Sequence, residues 1–233
     1  RFMSKPSKNR GSRLPGIKPG GERSNAGSMP TTSTMVPLSK TELLLLPNAA
    51  PAAMLNFTDG AVVKLPCAAQ AAAWDEDSER LLTGGADKRL RLWHAAQLTT
   101  PVALWVHTKK IVAVAFAPAE PNVGVFADKF GDIFSVRLDD ASISPTIRCG
   151  HFSPVSHMLF ASHCAQLLSA DREGHVRAAC WPHTDVIEQF YLSHTTNVQI
   201  VLPIAPTRNV PALLVSANAD GSQVCVFRYD GGE

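Results

Sequence analysis

An all-β repeat fold is what this 233-residue sequence predicts, and three observations predict it. The first is a series of short apolar runs rich in β-branched and aromatic residues, with little helical periodicity: Ile111–Phe116, Gly124–Ala127, Ile133–Leu138, Val155–Ala161, Val176–Cys180, Val186–Leu192, Val198–Ile204, Leu213–Ala217 and Gln223–Phe227. The second is a recurring tight turn. Ala86-Asp87-Lys88, Lys129-Phe130-Gly131, Arg172-Glu173-Gly174 and Ala219-Asp220-Gly221 have their centres 43, 43 and 47 residues apart. The third is a set of histidines in step, His107, His151 and His194, spaced by 44 and 43 residues, each just ahead of a first strand. A period of about 40–45 residues with four strands per unit is that of β-propeller blades.

Taken in order, the elements give a blade over 69–106, a second over 107–148, a third over 150–192 and most of a fourth over 194–228. Residues 42–66 supply material for another, with Thr58-Asp59-Gly60 as a hairpin turn. Four or five blades fall short of the usual closed ring. The chain also opens Arg1-Phe2-Met3 and stops just after a strand, so it reads as part of a longer protein. Residues 41–233 are assigned to the partial propeller and residues 1–40 to a disordered basic tail.

The net charge of +2 conceals an asymmetry. Residues 1–40 carry eight Lys and Arg against Glu22 alone, whereas residues 41–233 carry a net charge of −5. The tail is rich in Gly, Ser, Pro and Thr and cannot bury enough apolar surface to order itself. Two readings fit it: a solvated linker, or an arm that weakly attracts RNA or directs nuclear import. The acidic body predicts poor binding of RNA by the isolated protein.

Five cysteines, an odd number with no C-x-x-C pair, predict reduced and mostly buried thiols in an intracellular protein. The first apolar run, Leu43–Leu46, is too short for a signal peptide, and nothing approaches a membrane span.

Signs of chemistry are weak. Gly84-Gly85 lacks the G-x-G-x-x-G pattern and a following helix, so it reads as a strand ending in a turn. His151, His157, His163 and Cys164 have no metal-ligand spacing. No G-x-S-x-G elbow exists, and Cys180 lacks the surroundings of a thiol nucleophile. A propeller enzyme is the least favoured reading, and no catalytic residue is assigned.

The segment Ala71–Trp93 resembles a WD repeat, its part from Leu81 on holding the second strand, the Gly/Ala-Asp turn and a third strand ending in Trp93. In that family the turn acid hydrogen-bonds the histidine of the preceding loop, a charge-assisted clasp between two strand connections. The resemblance pairs Glu173 with His151 and Asp220 with His194. Phe130 occupies the acid's place in the middle blade, leaving His107 without an evident partner.

Two further segments narrow the resemblance. Val125–Val136 contains Ala127-Asp128-Lys129, and Leu168–Arg177 contains Ala170-Asp171-Arg172; the second continues through Val186–Phe190 to His194-Thr195. With Gly150-His151, these resemble the adjacent Ala-Asp-Lys and Ala-Asp-Arg blades of the non-catalytic WD-repeat subunits of eukaryotic tRNA (guanine-N(7)-)-methyltransferase. The similarity runs over about residues 71–230.

The resemblance implies a scaffold without a cofactor of its own. A separate Rossmann-type subunit would carry S-adenosylmethionine and methylate a tRNA guanosine, and the propeller would dock on it in the nucleus, with the cytoplasm as a further location. Arg177 matches a basic residue of the docking face and is the first choice for a salt bridge to the enzyme. Arg172, Lys129 and His175 accompany it, His175 standing where the family has lysine. Lys109 and Lys110 match a basic pair, and with Arg89 and Arg91 they are candidates for phosphate contact. The alternative is a WD-repeat adaptor for another assembly, such as a ubiquitin ligase.

Overall fold

The computed structural model describes residues 34–37, 42–46, 51–56, 59–118, 120, 122–161 and 165–229. Every described regular element is a β-strand, and the strands form five antiparallel sheets, each ordered as in the sequence. Sheet one holds β1 (Thr34–Pro37), β2 (Glu42–Leu46), β3 (Ala53–Asn56) and β4 (Val62–Lys64). Sheet two holds β5 (Ala71–Asp75), β6 (Arg80–Gly84), β7 (Arg89–His94) and β8 (Ala103–Val106). Sheet three holds β9 (Ile111–Phe116), β10 (Val123–Asp128), β11 (Asp132–Arg137) and β12 (Thr146–Gly150). Sheet four holds β13 (Val155–Phe160), β14 (Gln166–Asp171), β15 (Val176–Cys180) and β16 (Ile187–Tyr191), and sheet five β17 (Val198–Ile204), β18 (Leu213–Asn218) and β19 (Val224–Arg228).

Alternation along the second strands explains how the sheets stack, because successive side chains leave a strand on opposite faces. In β6, Leu81 joins a core with Leu44, Leu65 and Trp93, while Leu82 joins another with Ile111 and Phe126. In β14, Leu167 faces Val125 and Ile133, while Leu168 faces Val198 and Leu214. Each core is thus shared by two consecutive sheets. These second strands are buried on both faces, and their polar side chains Thr83 and Ser169 are hydrogen-bonded internally. Full burial of each such leucine contributes about 1.5–3 kcal/mol.

The predicted blades match these sheets, with differences at the margins. β1 falls inside the stretch 1–40 assigned to the tail; residues 1–33 lie outside the described residues. Thr34–Pro37 is too short to announce itself, and its pairing with Leu43–Leu46 defines it. The predicted runs omit the outer strands β8 and β12, whose half-exposed, mixed composition carries little periodic signal, and the second strand β14, where Gln166, Ser169 and Asp171 interrupt the apolar residues. Thr58 of the expected hairpin is outside the described residues, while Asp59 Oδ1 accepts from Ala61 N at 2.9 Å and Gly60 has φ +71°.

The turn alignment holds in three dimensions. Lys88, Gly131, Gly174 and Gly221 occupy the same turn position, and all four have positive φ. Gly84 ends β6 and meets the next sheet, where a Cβ would stand 2.4 Å from Ile111 Cγ2; the Gly-Gly pair serves packing. Cys67 is buried, and Cys149, Cys180 and Cys225 are partly so; all four are free thiols. Among the described residues no helix is long and apolar enough to cross a membrane.

Candidate docking and RNA-contact edge

The turn between second and third strands and the loop entering the same sheet meet at one edge of each blade. Backbone bonds tie them together: Lys129 N to Lys110 O at 2.9 Å, Arg172 N to Pro154 O at 3.2 Å, and Ala219 N to Asn197 O at 2.8 Å. Most of the predicted site residues lie on this edge.

The histidine clasp is present, but its acid lies two residues earlier than the resemblance placed it. Asp171, 2% exposed at the end of β14, faces His151 Nδ1 at 3.2 Å and His175 Nδ1 at 3.0 Å through Oδ2. Its Oδ1 accepts from the backbone N–H groups of Glu173 at 2.9 Å and His175 at 3.0 Å. Glu173 stands exposed at the tip of the turn and takes no part. A short carboxylate at a strand end can bond the amides two and four residues on while facing the neighbouring loop; one at the tip points into solvent.

The other two blades repeat the correction. Asp128 Oδ2 stands 3.2 Å from His107 Nε2, so His107 has its partner despite Phe130, and Asp128 Oδ1 accepts from Phe130 N at 2.8 Å. In the last sheet Asn218 occupies the position, and its amide is taken by Thr196, Ser222 and Gln223 N. Asp220 caps its own turn through Ser222 N at 2.9 Å and does not reach His194. His194 Nε2 meets Ser216 Oγ at 2.7 Å, and its buried Nδ1 has no partner. The Ala-Asp-Lys and Ala-Asp-Arg motifs carried the signal: Asp128 and Asp171 recur at the same 43-residue period as the turn centres.

Ser169 Oγ lies 2.7 Å from His151 Nε2, which completes a Ser-His-Asp arrangement. Ser169 is 1% exposed inside β14, so a substrate has no approach to its hydroxyl. The Ser216–His194 contact repeats it in the next blade, and Thr83 bonds Trp93 Nε1 at 2.8 Å in the second sheet. Repetition at equivalent positions marks a structural clasp. Burial, then the nearby Arg177 charge, pushes the His151 pKa down from 6.5 to about 4. Neutral His151 therefore donates from Nδ1 to Asp171 and accepts from Ser169.

Arg177 is not the solvent-facing strand residue that the docking expectation requires. It is 6% exposed, with Nη1 donating to Gly150 O at 3.1 Å, Nη2 lying 3.3 Å from Cys149 Sγ, and Nε buried without a partner. It braces the preceding blade because the third strand's neighbour-facing side points inward. Arg91, at the same position in β7, is also buried and ion-paired with Asp87, which removes it from the phosphate candidates.

The remaining cations are at the surface. Arg172 is exposed and lines an open cleft of about 480 Å³ with Ser156, Asn197 and Gln199. The side chain of His175 is 46% exposed. Lys110, Lys129 and Arg89 are exposed. Lys109 is half-buried and pairs with Asp132 at 3.3 Å and Asp128 at 3.5 Å. At the opposite edge stand the exposed acids Glu76, Asp77, Glu79, Asp139, Asp140 and Asp185, while Asp87, Glu173 and Asp220 are exposed on the clasped edge with the lysines. Among the described residues no group of three or more His, Cys, Asp or Glu is placed to hold a metal; His163 and Cys164 lie outside them.

This repeat of four-stranded blades clasped at one edge defines a WD-repeat β-propeller. The family model described as "WD domain, G-beta repeat" matches residues 67–94. The β-propeller domain of Cps50 (Swd1) from Myceliophteria thermophila superposes with a TM-score of 0.69 at 11% identity, covering 84% of this chain and 64% of that one. The computationally designed Ika8 protein superposes at 0.62 with 18% identity, covering 84% of this chain and 58% of that one.

Sequence similarity points to particular relatives. The chain is similar in sequence to proteins named as the non-catalytic subunit of tRNA (guanine-N(7)-)-methyltransferase. It is 28% identical over 164 residues to that of Xenopus laevis, covering 70% of this chain and 40% of the relative. It is 29% identical over 162 residues to that of Homo sapiens, covering 69% and 35%. With the Dictyostelium discoideum protein it shares 27% over 165 residues, covering 63% and 34%. The chain thus spans two fifths or less of the length of these relatives.

Proposed function

We propose that this chain acts as a non-catalytic scaffold that binds and stabilises the catalytic subunit of a tRNA 7-methylguanosine methyltransferase and so supports tRNA modification. The observation that carries this reading is its similarity, over 162–165 residues, to subunits bearing that name in animals and an amoeba. The catalytic partner is a Rossmann-type subunit that holds S-adenosylmethionine; this chain contributes no cofactor, and the complex works in the nucleus.

The clasped edge supplies the contacts. Arg172, Lys129 and His175 are its exposed polar side chains beside the Ala-Asp-Lys and Ala-Asp-Arg turns. Arg177 holds the fourth sheet against the third beneath them and acts on docking through that support. A charge pair desolvated at such an interface costs about 2–5 kcal/mol when one partner is truncated, and a rim pair far less.

The test is co-expression of the full chain with the catalytic subunit, followed by co-purification and a tRNA methylation assay with and without the chain. Binding and a rise in methylation are expected, both reduced by Arg172→Glu. Failure to co-purify, or methylation unchanged by the chain, would overturn the assignment.

A further inference from the structure

We propose that Ser144, in the loop joining β11 to β12, is a phosphorylation site for a proline-directed serine/threonine kinase, and that Arg148 and Arg137 hold its phosphate. This goes beyond the scaffold reading and does not rest on it.

The loop supplies the first argument. Residues 139–144 are exposed without a break, so the segment is open to a kinase cleft. Pro145 follows Ser144 and biases it toward an extended backbone. Ser142 is the neighbouring serine, but its hydroxyl is engaged by Asp140 Oδ1 at 2.6 Å and Ile143 follows it. The Ser144 hydroxyl has no hydrogen-bond partner among the described residues. Ser153 also precedes a proline, but it is 4% exposed and closed to an enzyme.

The receiving groups supply the second. Ser144, Arg137 and Arg148 line one cavity of about 210 Å³ together with Ser135, Thr146 and Glu120. Arg148 is positioned in advance: Nε donates to Ser135 Oγ at 2.7 Å, and the guanidinium carbon lies 5.4 Å from the centre of the Trp181 ring. Both its Nη groups are without a hydrogen-bond partner among the described residues, and a guanidinium fork suits phosphate oxygens. Arg137 donates to Asp139 through Nε and Nη2, which leaves Nη1. The acids nearby are each taken by a donor, Asp139 by Arg137, Asp140 by Ser142 and Glu120 by Trp181 Nε1 at 2.8 Å.

In the reaction the γ-phosphoryl group of ATP passes to Ser144 Oγ. The bond to ADP breaks, the Oγ–P bond forms, and the hydroxyl proton goes to the kinase's base. The product carries a charge of about −2 and three acceptor oxygens. Bound to Arg148, it fastens the loop to the outer strand β12, which runs on to the Gly150 carbonyl that Arg177 takes. The corresponding loop of the second sheet has Thr100-Pro101, also exposed, but His94 and Trp105 stand 43 residues ahead of Arg137 and Arg148. A phosphate there meets no such fork.

The test treats the full chain with ATP and a proline-directed kinase, maps phosphate by mass spectrometry, and compares Tm before and after within each variant. Phosphate is expected on Ser144, with a Tm rise of about 2–4 °C at low salt that shrinks in high salt. Arg148→Met should abolish most of the rise and Arg148→Lys should keep part of it. Ser144→Ala should show no rise, whether or not Thr100 is modified. Absence of phosphate from Ser144, or its placement on Ser142 or Thr146 instead, overturns the proposal. So does a phosphorylated chain that melts no higher than the parent, a full rise in Arg148→Met, or a rise in Ser144→Ala.

Discussion

His151 Nδ1 and Asp171 Oδ2 stand 3.2 Å apart and join the loop entering the fourth sheet to the end of that sheet's second strand. The same carboxylate closes the following turn through two backbone amides, so one side chain fixes both connections. Asp171→Ala should therefore cost about 3 kcal/mol, since it leaves several buried donors unpaired. Glu173→Ala should change stability by no more than about 0.5 kcal/mol. Urea unfolding of the two variants decides which acid forms the clasp; an equal loss from both would restore the acid at the turn tip.

Acid should weaken the fold through His151. Its folded pKa, about 4, lies below the ordinary 6.5, so above 6.5 the imidazole is neutral in both states and contributes no slope. As pH falls from 6.5 toward 4, the unfolded chain takes up the proton and the folded one does not. Stability is lost across that window, on the order of 3 kcal/mol in all. Burial pushes His157 in the same direction, so the comparison is with His151→Gln. That variant should show a shallower decline between pH 6.5 and 4, and an identical slope would contradict the assignment.

Asn218→Asp should stabilise the fifth sheet. His194 Nδ1 is buried without a partner, while Asp171 and Asp128 serve the corresponding histidines from the same position. The gain expected is about 1 kcal/mol, that of a typical added hydrogen bond. A rise in Tm relative to the parent supports it, and a fall would show that the Asn218 donors to Thr196 and Ser222 matter more.

Two glycines in the same turn position should respond differently to alanine. Gly174 has φ +98° and its added Cβ would lie 2.4 Å from His194 O, whereas Gly221 has φ +71° and open space around it. Gly221→Ala should cost about 1 kcal/mol, the penalty of left-handed backbone alone. Gly174→Ala should cost clearly more, because a backbone carbonyl must move. Denaturation midpoints that rank them the other way would refute the packing argument.

Arg177→Glu should act on stability before it acts on docking. The substitution buries a carboxylate beside the Gly150 carbonyl, at a cost of about 3 kcal/mol or more. Arg177→Met, which keeps the length and loses the charge, should be milder. If both variants melt like the parent, Arg177 is a surface residue after all.

Much of this was legible in the residues. The 43-residue spacing of turns and the apolar runs define blades without knowledge of any contact, because solvent-facing chain does not carry such runs at that spacing. The outer strands β8 and β12 and the short β1 were not legible, since a neighbour defines them more than their own composition does. The site divided in the same way. Lys110, Lys129 and Arg172 were recognised by type and position and lie exposed on one edge. Arg177 and Arg91 were recognised by the same logic and are buried, because a strand's sequence does not say which of its faces meets the next sheet.

The sequence by itself determined the repeat, the turn that closes each unit and the histidine that opens the next. These depend on local backbone preference and on the solubility of one residue type at a time, and both are written in composition and spacing. Only the tertiary structure decided that Asp171, and not Glu173, reaches His151, and that Phe130 gathers Lys109 and Lys129 around its ring. Such choices turn on ångström differences in where a side chain leaves its strand, and a one-dimensional pattern carries no record of that direction.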